Sequence, residues 1–155
     1  MYKLENKKHQ AQRERRGYSS YDLMDMDVYL TTLIKDMLFD FEKKTYGIPV
    51  FVIIEYLDKH NIDLHYNDEK VDELRPDIEK YWHSILKSMI YHFKEGDEDS
   101  TSYANKYEKA YLKNRSNDEL REKWFTEERK KEKYCAKHLK QAFVMLSKYM
   151  DGLWF

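Results

Sequence analysis

The chain has 155 residues, with 28 Lys+Arg against 29 Asp+Glu, and carries 14 Tyr but only 4 Gly and 2 Pro. So few Gly and Pro cannot punctuate a many-stranded β fold, which needs a turn every ~8–12 residues, and they leave no Gly-rich phosphate loop. A hydrophobic share of 41% excludes plain disorder, and a net charge of −1 gives no general attraction to duplex nucleic acid or acidic membranes. No apolar run reaches transmembrane length, and the N-terminus lacks the apolar segment of a secretory signal. One cysteine, Cys135, leaves no internal disulfide and points to a reducing, intracellular setting. These limits predict an all-α single domain, an irregular bundle of four to five helices over residues 17–155, behind a basic N-terminal arm.

The arm, residues 1–16, holds six Lys/Arg and two Glu and reads as a solvated tail. Ser19 or Ser20 can cap a first helix over 22–45, with Asp22, Asp25 and Asp27 at its positive end. Leu23, Met26, Leu30, Leu33/Ile34, Met37 and Phe41 recur at helical steps and predict its core face. Gly47 and Pro49 stop it. Residues 48–57, IPVFVIIEYL, suit a buried strand or a short helix; the helix is favoured because no second strand is available. Residues 58–75 read as a polar loop, and Pro76 opens the next helix, 77–94, whose stripe is Ile78, Trp82, Ile85, Met89 and Phe93. Tyr103, Tyr107 and Tyr111 then fall four apart on one predicted helical face. Asn117 can cap a final element, 118–150, either one helix with a charged middle projecting into solvent or two helices; Leu153, Trp154 and Phe155 form an apolar tail.

The chemistry-bearing residues are sparse. No two histidines have the i,i+3 or i,i+4 spacing of helical metal ligands, so no metal and no cofactor is expected. Glu127, Glu128 and Glu132 miss a magnesium-binding Glu-Glu-x-x-Glu spacing by one residue and read as a solvated charge face. Cys135 lies on a packed stripe, as a buried inert thiol would, and no nucleophile elbow or Walker loop is present. Asp27 falls inside the apolar stripe, where a carboxylate is costly unless paired. Arg15, Arg16 or a backbone cap can pair it, as a structural ion pair or as the polar anchor of a ligand pocket beside Tyr18 and Trp82. The aromatic excess fits core packing, and equally stacking on a nucleobase or filling a partner's pocket.

Three separated pieces resemble a set of small helical proteins of tailed bacteriophages. They are Arg16-Gly17-Tyr18-Ser19 with Asp22 to Asp27; Trp82, Ile85, Leu86, Met89 and Phe93; and Phe143, Leu146, Lys148, Tyr149 with Leu153-Trp154. Met24 stands where the set has tryptophan, and Lys80-Tyr81 where it has an acidic pair. The resemblance implies a phage origin and a helical fold, hence the cytoplasm of an infected bacterial host, and carries no established activity. The expectation it supports is a non-enzymatic counter-defence protein that sequesters a nucleotide-type immune signal through Arg15, Arg16, Tyr18, Asp22, Asp27, Trp82, Tyr149 and Trp154. The alternatives are an inhibitor that binds a host defence protein, an acidic-site metal-dependent enzyme and a virion component. Tyr103, Tyr107 and Tyr111 are the expected interface of a homo-oligomer or partner complex.

Overall fold

The computed structural model describes residues 2–153, with side chains from residue 6 onward. The protein is all-α. Among the described residues there are six α-helices and no strand: α1 Tyr2–Arg16, α2 Met26–Lys44, α3 Val50–Lys59, α4 Glu69–Gly96, α5 Glu108–Lys113 and α6 Asp118–Tyr149, followed by a 3-10 turn at Met150–Gly152. No helix is long and apolar enough to cross a membrane. The chain divides into two compact units, residues 1–34 and 35–155.

In the first unit the basic arm is a helix rather than a tail. α1 closes on Gly17, whose φ of +82° is the left-handed conformation that glycine adopts without cost. The Gly17 amide donates to the Arg13 carbonyl at 2.8 Å. Ser19 and Asp22 then cap each other: the Ser19 amide donates to Asp22 Oδ2 at 2.7 Å and the Asp22 amide to Ser19 Oγ at 3.3 Å. The capping chemistry lies where the sequence placed it, but residues 20–25 form a turn and the regular helix begins only at Met26.

The second unit is an irregular helical bundle built on α4 and α6, its principal packed pair. Trp82, Ile85, Leu86, Met89 and Phe93 of α4 are buried with Cys135, Ala142, Leu146 and Tyr149 of α6. Each such side chain is worth ~1.5–3 kcal/mol when fully buried, which removes the need for a metal or disulfide. The 48–57 segment is the helix α3, opened by Pro49, and buries Val52 and Leu57. α4 begins at Glu69, so Pro76 lies inside it instead of opening it. The extension has a packing cause: Val71, on the added turns, joins Leu57 and Ile78 in a cluster with Ile62, Leu64 and Leu74. α6 is one continuous helix of 32 residues, ~48 Å at 1.5 Å per residue. One face of its charged middle meets the 103–107 segment through Glu127 and Glu128, while Arg129, Lys130, Glu132 and Lys133 stay exposed, as the one-helix expectation had it. Asn117 caps α6, accepting from the Leu120 amide at 3.0 Å.

The phase of α2 departs from expectation. Leu23, Met26, Leu30, Leu33 and Met37 are exposed, whereas Thr31, Leu38, Phe41 and Thr45 are buried. The buried face is rotated by roughly a quarter turn from the predicted stripe; only Phe41 belongs to both. Lys35 and Glu42, within the second unit, reach Asp97 at 3.3 Å and His83 at 2.9 Å.

Candidate functional site

The first unit is held by polar bonds. Arg13 grips the Asp22 carboxylate with both prongs of its guanidinium, Nε on Oδ2 at 2.9 Å and Nη2 on Oδ1. That hydrogen-bonded pairing, with the Ser19 bonds, holds the Asp22 carboxyl well below the usual carboxylate range against the cost of its burial. Tyr29 donates to the Gly17 carbonyl at 2.6 Å, and Ser20 donates through both its amide and its hydroxyl to Gln12 at 2.8 Å. Arg16 donates to the Tyr18 carbonyl at 3.0 Å and lies 4.5 Å over the Tyr18 ring.

This unit is inverted relative to an ordinary fold. Its buried described residues, Ser19, Asp22 and Thr31, are all polar, while Tyr21, Leu23, Met24, Met26, Val28, Leu30 and Leu33 are exposed, Met24 by 77%. Single exposed apolar side chains are ordinary; here seven large ones fall within residues 21–33.

The residues expected to line a ligand pocket are placed as follows. Asp27 is exposed and makes no ion pair with a described residue; the paired, buried carboxylate is Asp22, five residues earlier, and its partner is Arg13 rather than Arg15 or Arg16. The correction follows from the changed phase of α2, which turns Asp27 toward solvent. Arg15, Arg16 and Tyr18 are exposed. Trp82 and Tyr149 belong to the second unit, where they are buried in the core with ring centroids 6.0 Å apart. Trp154 lies outside the described residues. Two open depressions in the second unit, of ≈510 and ≈290 Å³, are lined by none of these residues: the larger lies between Pro76 and Lys87 on α4, the smaller between Lys106 and Lys130.

The tyrosines expected at an interface do not share a helical face, because α5 starts only after Tyr107. Tyr103 donates to Glu127 at 2.9 Å and its ring meets Tyr134, while Tyr111 stacks on Trp124 at 5.0 Å. Tyr107 is half-buried, with Lys106 Nζ 5.2 Å over its ring. Of the three glutamates expected on a solvated charge face Glu132 is exposed, but Glu127 is buried and Glu128 accepts from Asn105 at 2.7 Å, so these two pin the 103–107 segment to α6.

Sequence reasoning missed two polar clusters. In one, Glu55 accepts from Tyr81 at 2.8 Å, Tyr149 at 2.9 Å and Lys148 at 2.9 Å. Burial opposes the Glu55 charge, yet these bonds outweigh it and hold the carboxyl below its usual value. Burial and the same bond push the Tyr81 hydroxyl up to about 12. The carboxylate is kept charged and the phenol kept protonated, and the three bonds to Glu55 tie α3 to α4 and α6. The available signal was Glu55 itself, a lone charge in an apolar run. In the other, buried Glu95 accepts at Oε2 from the Ser102 amide and hydroxyl, Thr101 and Tyr134. Beside it His92 and His138 meet Nδ1 to Nδ1 at 2.9 Å. Burial pushes the Cys135 thiol up, which suits an inert thiol and not a nucleophile. No group of three or more His, Cys, Asp or Glu among the described residues is arranged to hold a metal ion. No family model, curated protein or solved structure matches the chain.

Proposed function

We propose that this protein is a non-catalytic binding protein that acts by docking another protein through the exposed apolar face of its first unit. The observation that carries this reading is the inversion of residues 18–33, with polar groups buried and large Leu, Met, Tyr and Val side chains facing solvent. The phage resemblance supports a host defence protein as the target. It equally supported sequestration of a nucleotide-type signal. That reading is weaker because Trp82 and Tyr149 pack in the core and Asp22 is occupied by Arg13. The test uses immobilised full-length protein and its Leu30→Glu variant against a bacterial lysate, with calorimetric titration of cyclic nucleotides in parallel. A stoichiometric protein partner held by the wild type and lost by the variant is expected. Heat from a nucleotide, with equal capture by both proteins, would overturn the reading.

A further inference from the structure

The fold brings together two histidines that lie 46 residues apart in the chain. His92 stands on α4 and His138 on α6, and their Nδ1 atoms meet at 2.9 Å, with ring centroids 4.9 Å apart and ring planes at 37°. The contact has a backbone cause. One helical turn after His92 comes Gly96, where a Cβ would lie 2.9 Å from the backbone nitrogen of Leu139, the residue after His138. With no side chain to separate the helices at that turn, the two imidazoles are carried into contact. The rings are also held from the side. Tyr91 packs edge-on against both, at 5.4 and 5.6 Å, and the Tyr134 ring lies 4.4 Å from that of His138. Two donor atoms kept at a fixed spacing by packed neighbours are preorganised for a ligand.

A shared proton is one occupant of such a pair, one Nδ1 donating and the other accepting. A metal ion is another. Imidazole nitrogens sit ~2.0–2.1 Å from a bound first-row ion, so two of them at a right angle on one ion lie ~2.9 Å apart. The spacing between His92 and His138 matches that arrangement with no movement of α4 against α6. Right-angled nitrogen ligation is the preference of Cu2+ and Ni2+, whereas a tetrahedral Zn2+ spreads its nitrogens to ~3.3–3.4 Å. No third His, Cys, Asp or Glu among the described residues joins the pair, and Glu95 already accepts from Ser102, Thr101 and Tyr134. Both histidines are half-buried rather than sealed, so water can supply the remaining ligands.

We propose that His92 and His138 form a two-histidine site for a divalent late first-row cation of tetragonal preference, Ni2+ or Cu2+, bound through both Nδ1 atoms with water completing its coordination. The ion takes the place of the shared proton. The donating ring loses its proton at Nδ1 and takes one from water exchange at Nε2, so both imidazoles stay neutral.

Titration of the full chain with Ni2+ in a non-chelating buffer tests this, because Ni2+ cannot oxidise Cys135 and broadens the resonances of the rings it binds. Of the six histidine imidazoles, two are expected to broaden together at substoichiometric Ni2+, and assignment places them at His92 and His138. Calorimetry is expected to give one ion per chain, bound at least ~tenfold more tightly by the wild type than by His92→Phe or His138→Phe. Saturating Ni2+ raises the melting temperature of the wild type and of neither variant. Broadening that begins at His9, His60, His65 or His83 overturns the proposal, as does equal affinity in all three proteins or a loss confined to one variant. The resonance measurement uses the wild type alone, so it decides the matter even where a variant fails to fold.

Discussion

The His92–His138 contact gives the bundle a defined response to acid. At an Nδ1–Nδ1 distance of 2.9 Å one ring donates and the other accepts, so at most one of them can be cationic while the bond lasts. Burial, and then the neighbouring His138, push the His92 value below the usual histidine range. Tyr91 and Tyr134 pack on the rings, and the Glu95 carboxylate is bound to the Tyr134 hydroxyl rather than to either imidazole. With ring centroids 4.9 Å apart, two unit charges repel by ~3 kcal/mol at an effective dielectric constant of ~20 and by ~1 kcal/mol in bulk water. The rings are half-buried, so a loss of about 1–3 kcal/mol is expected, or about 3–10 °C of melting temperature for a chain of this size. The sign follows from the lowered value. The unfolded chain binds the proton more readily, so the contribution is complete above the usual histidine value near ~6.5 and is lost as pH falls toward the depressed folded value. Thermal melts by circular dichroism from about pH 7.5 to about pH 5, on the wild type and on His92→Phe, measure it. The variant keeps a ring against Tyr91 and removes the second charge, so its curve is flatter. Equal acid sensitivity in both proteins would refute the reasoning.

Gly96→Ala would bring a Cβ to 2.9 Å from the Leu139 backbone nitrogen and 3.0 Å from its Cα. Forcing α4 and α6 apart costs ~1–3 kcal/mol, against a helix-propensity gain of ~1 kcal/mol; a stabilised variant in denaturant titration would show that the helices do not meet there. Leu38→Ala, at a position 3% exposed, costs ~2–4 kcal/mol, whereas Met37→Ala, at one 63% exposed, changes stability by no more than ~0.5 kcal/mol. Similar losses at the two sites would show that the rotated phase of α2 is wrong. Glu95→Ala strips the shared acceptor from Thr101, Ser102 and Tyr134 and costs ~1–3 kcal/mol, with new protease cleavage between residues 97 and 105 as the structural readout. Asp22, Glu55, Glu95 and Asp97 all have lowered values, so their contributions persist above the usual carboxyl range and fade as pH drops through the depressed folded values. This second acid transition lies below the histidine window, and His92→Phe leaves it in place.

Some helix ends were legible from a local signal, although Pro76 lies inside α4 and does not open it. Pro49 opens α3, Asn117 caps α6 and Gly96 ends α4. The stripe from Ile78 to Phe93 was legible for a related reason: its apolar residues lie on one face only, so there was one way to bury them. The functional surface was much less legible. Asp27 looked buried because it interrupts a stripe that looked like core. The unit's real buried carboxylate announced itself only by sharing a bond network with Arg13, nine residues earlier.

By itself, then, the sequence determined the all-α class, the helix ends at Pro49, Gly96 and Asn117 and the absence of the common catalytic motifs, because those depend on residues within a turn or two of one another. Tertiary structure alone decided what each helix does with its faces. α2 offers two neighbouring candidates, Leu23–Met26–Leu30–Leu33–Met37 and Thr31–Leu38–Phe41–Thr45, and only the second is buried. Periodicity reports that a face is apolar; whether anything covers it depends on which distant elements come to lie there. A stripe that the fold leaves uncovered is at once a failed core prediction and the face on which the proposed docking rests.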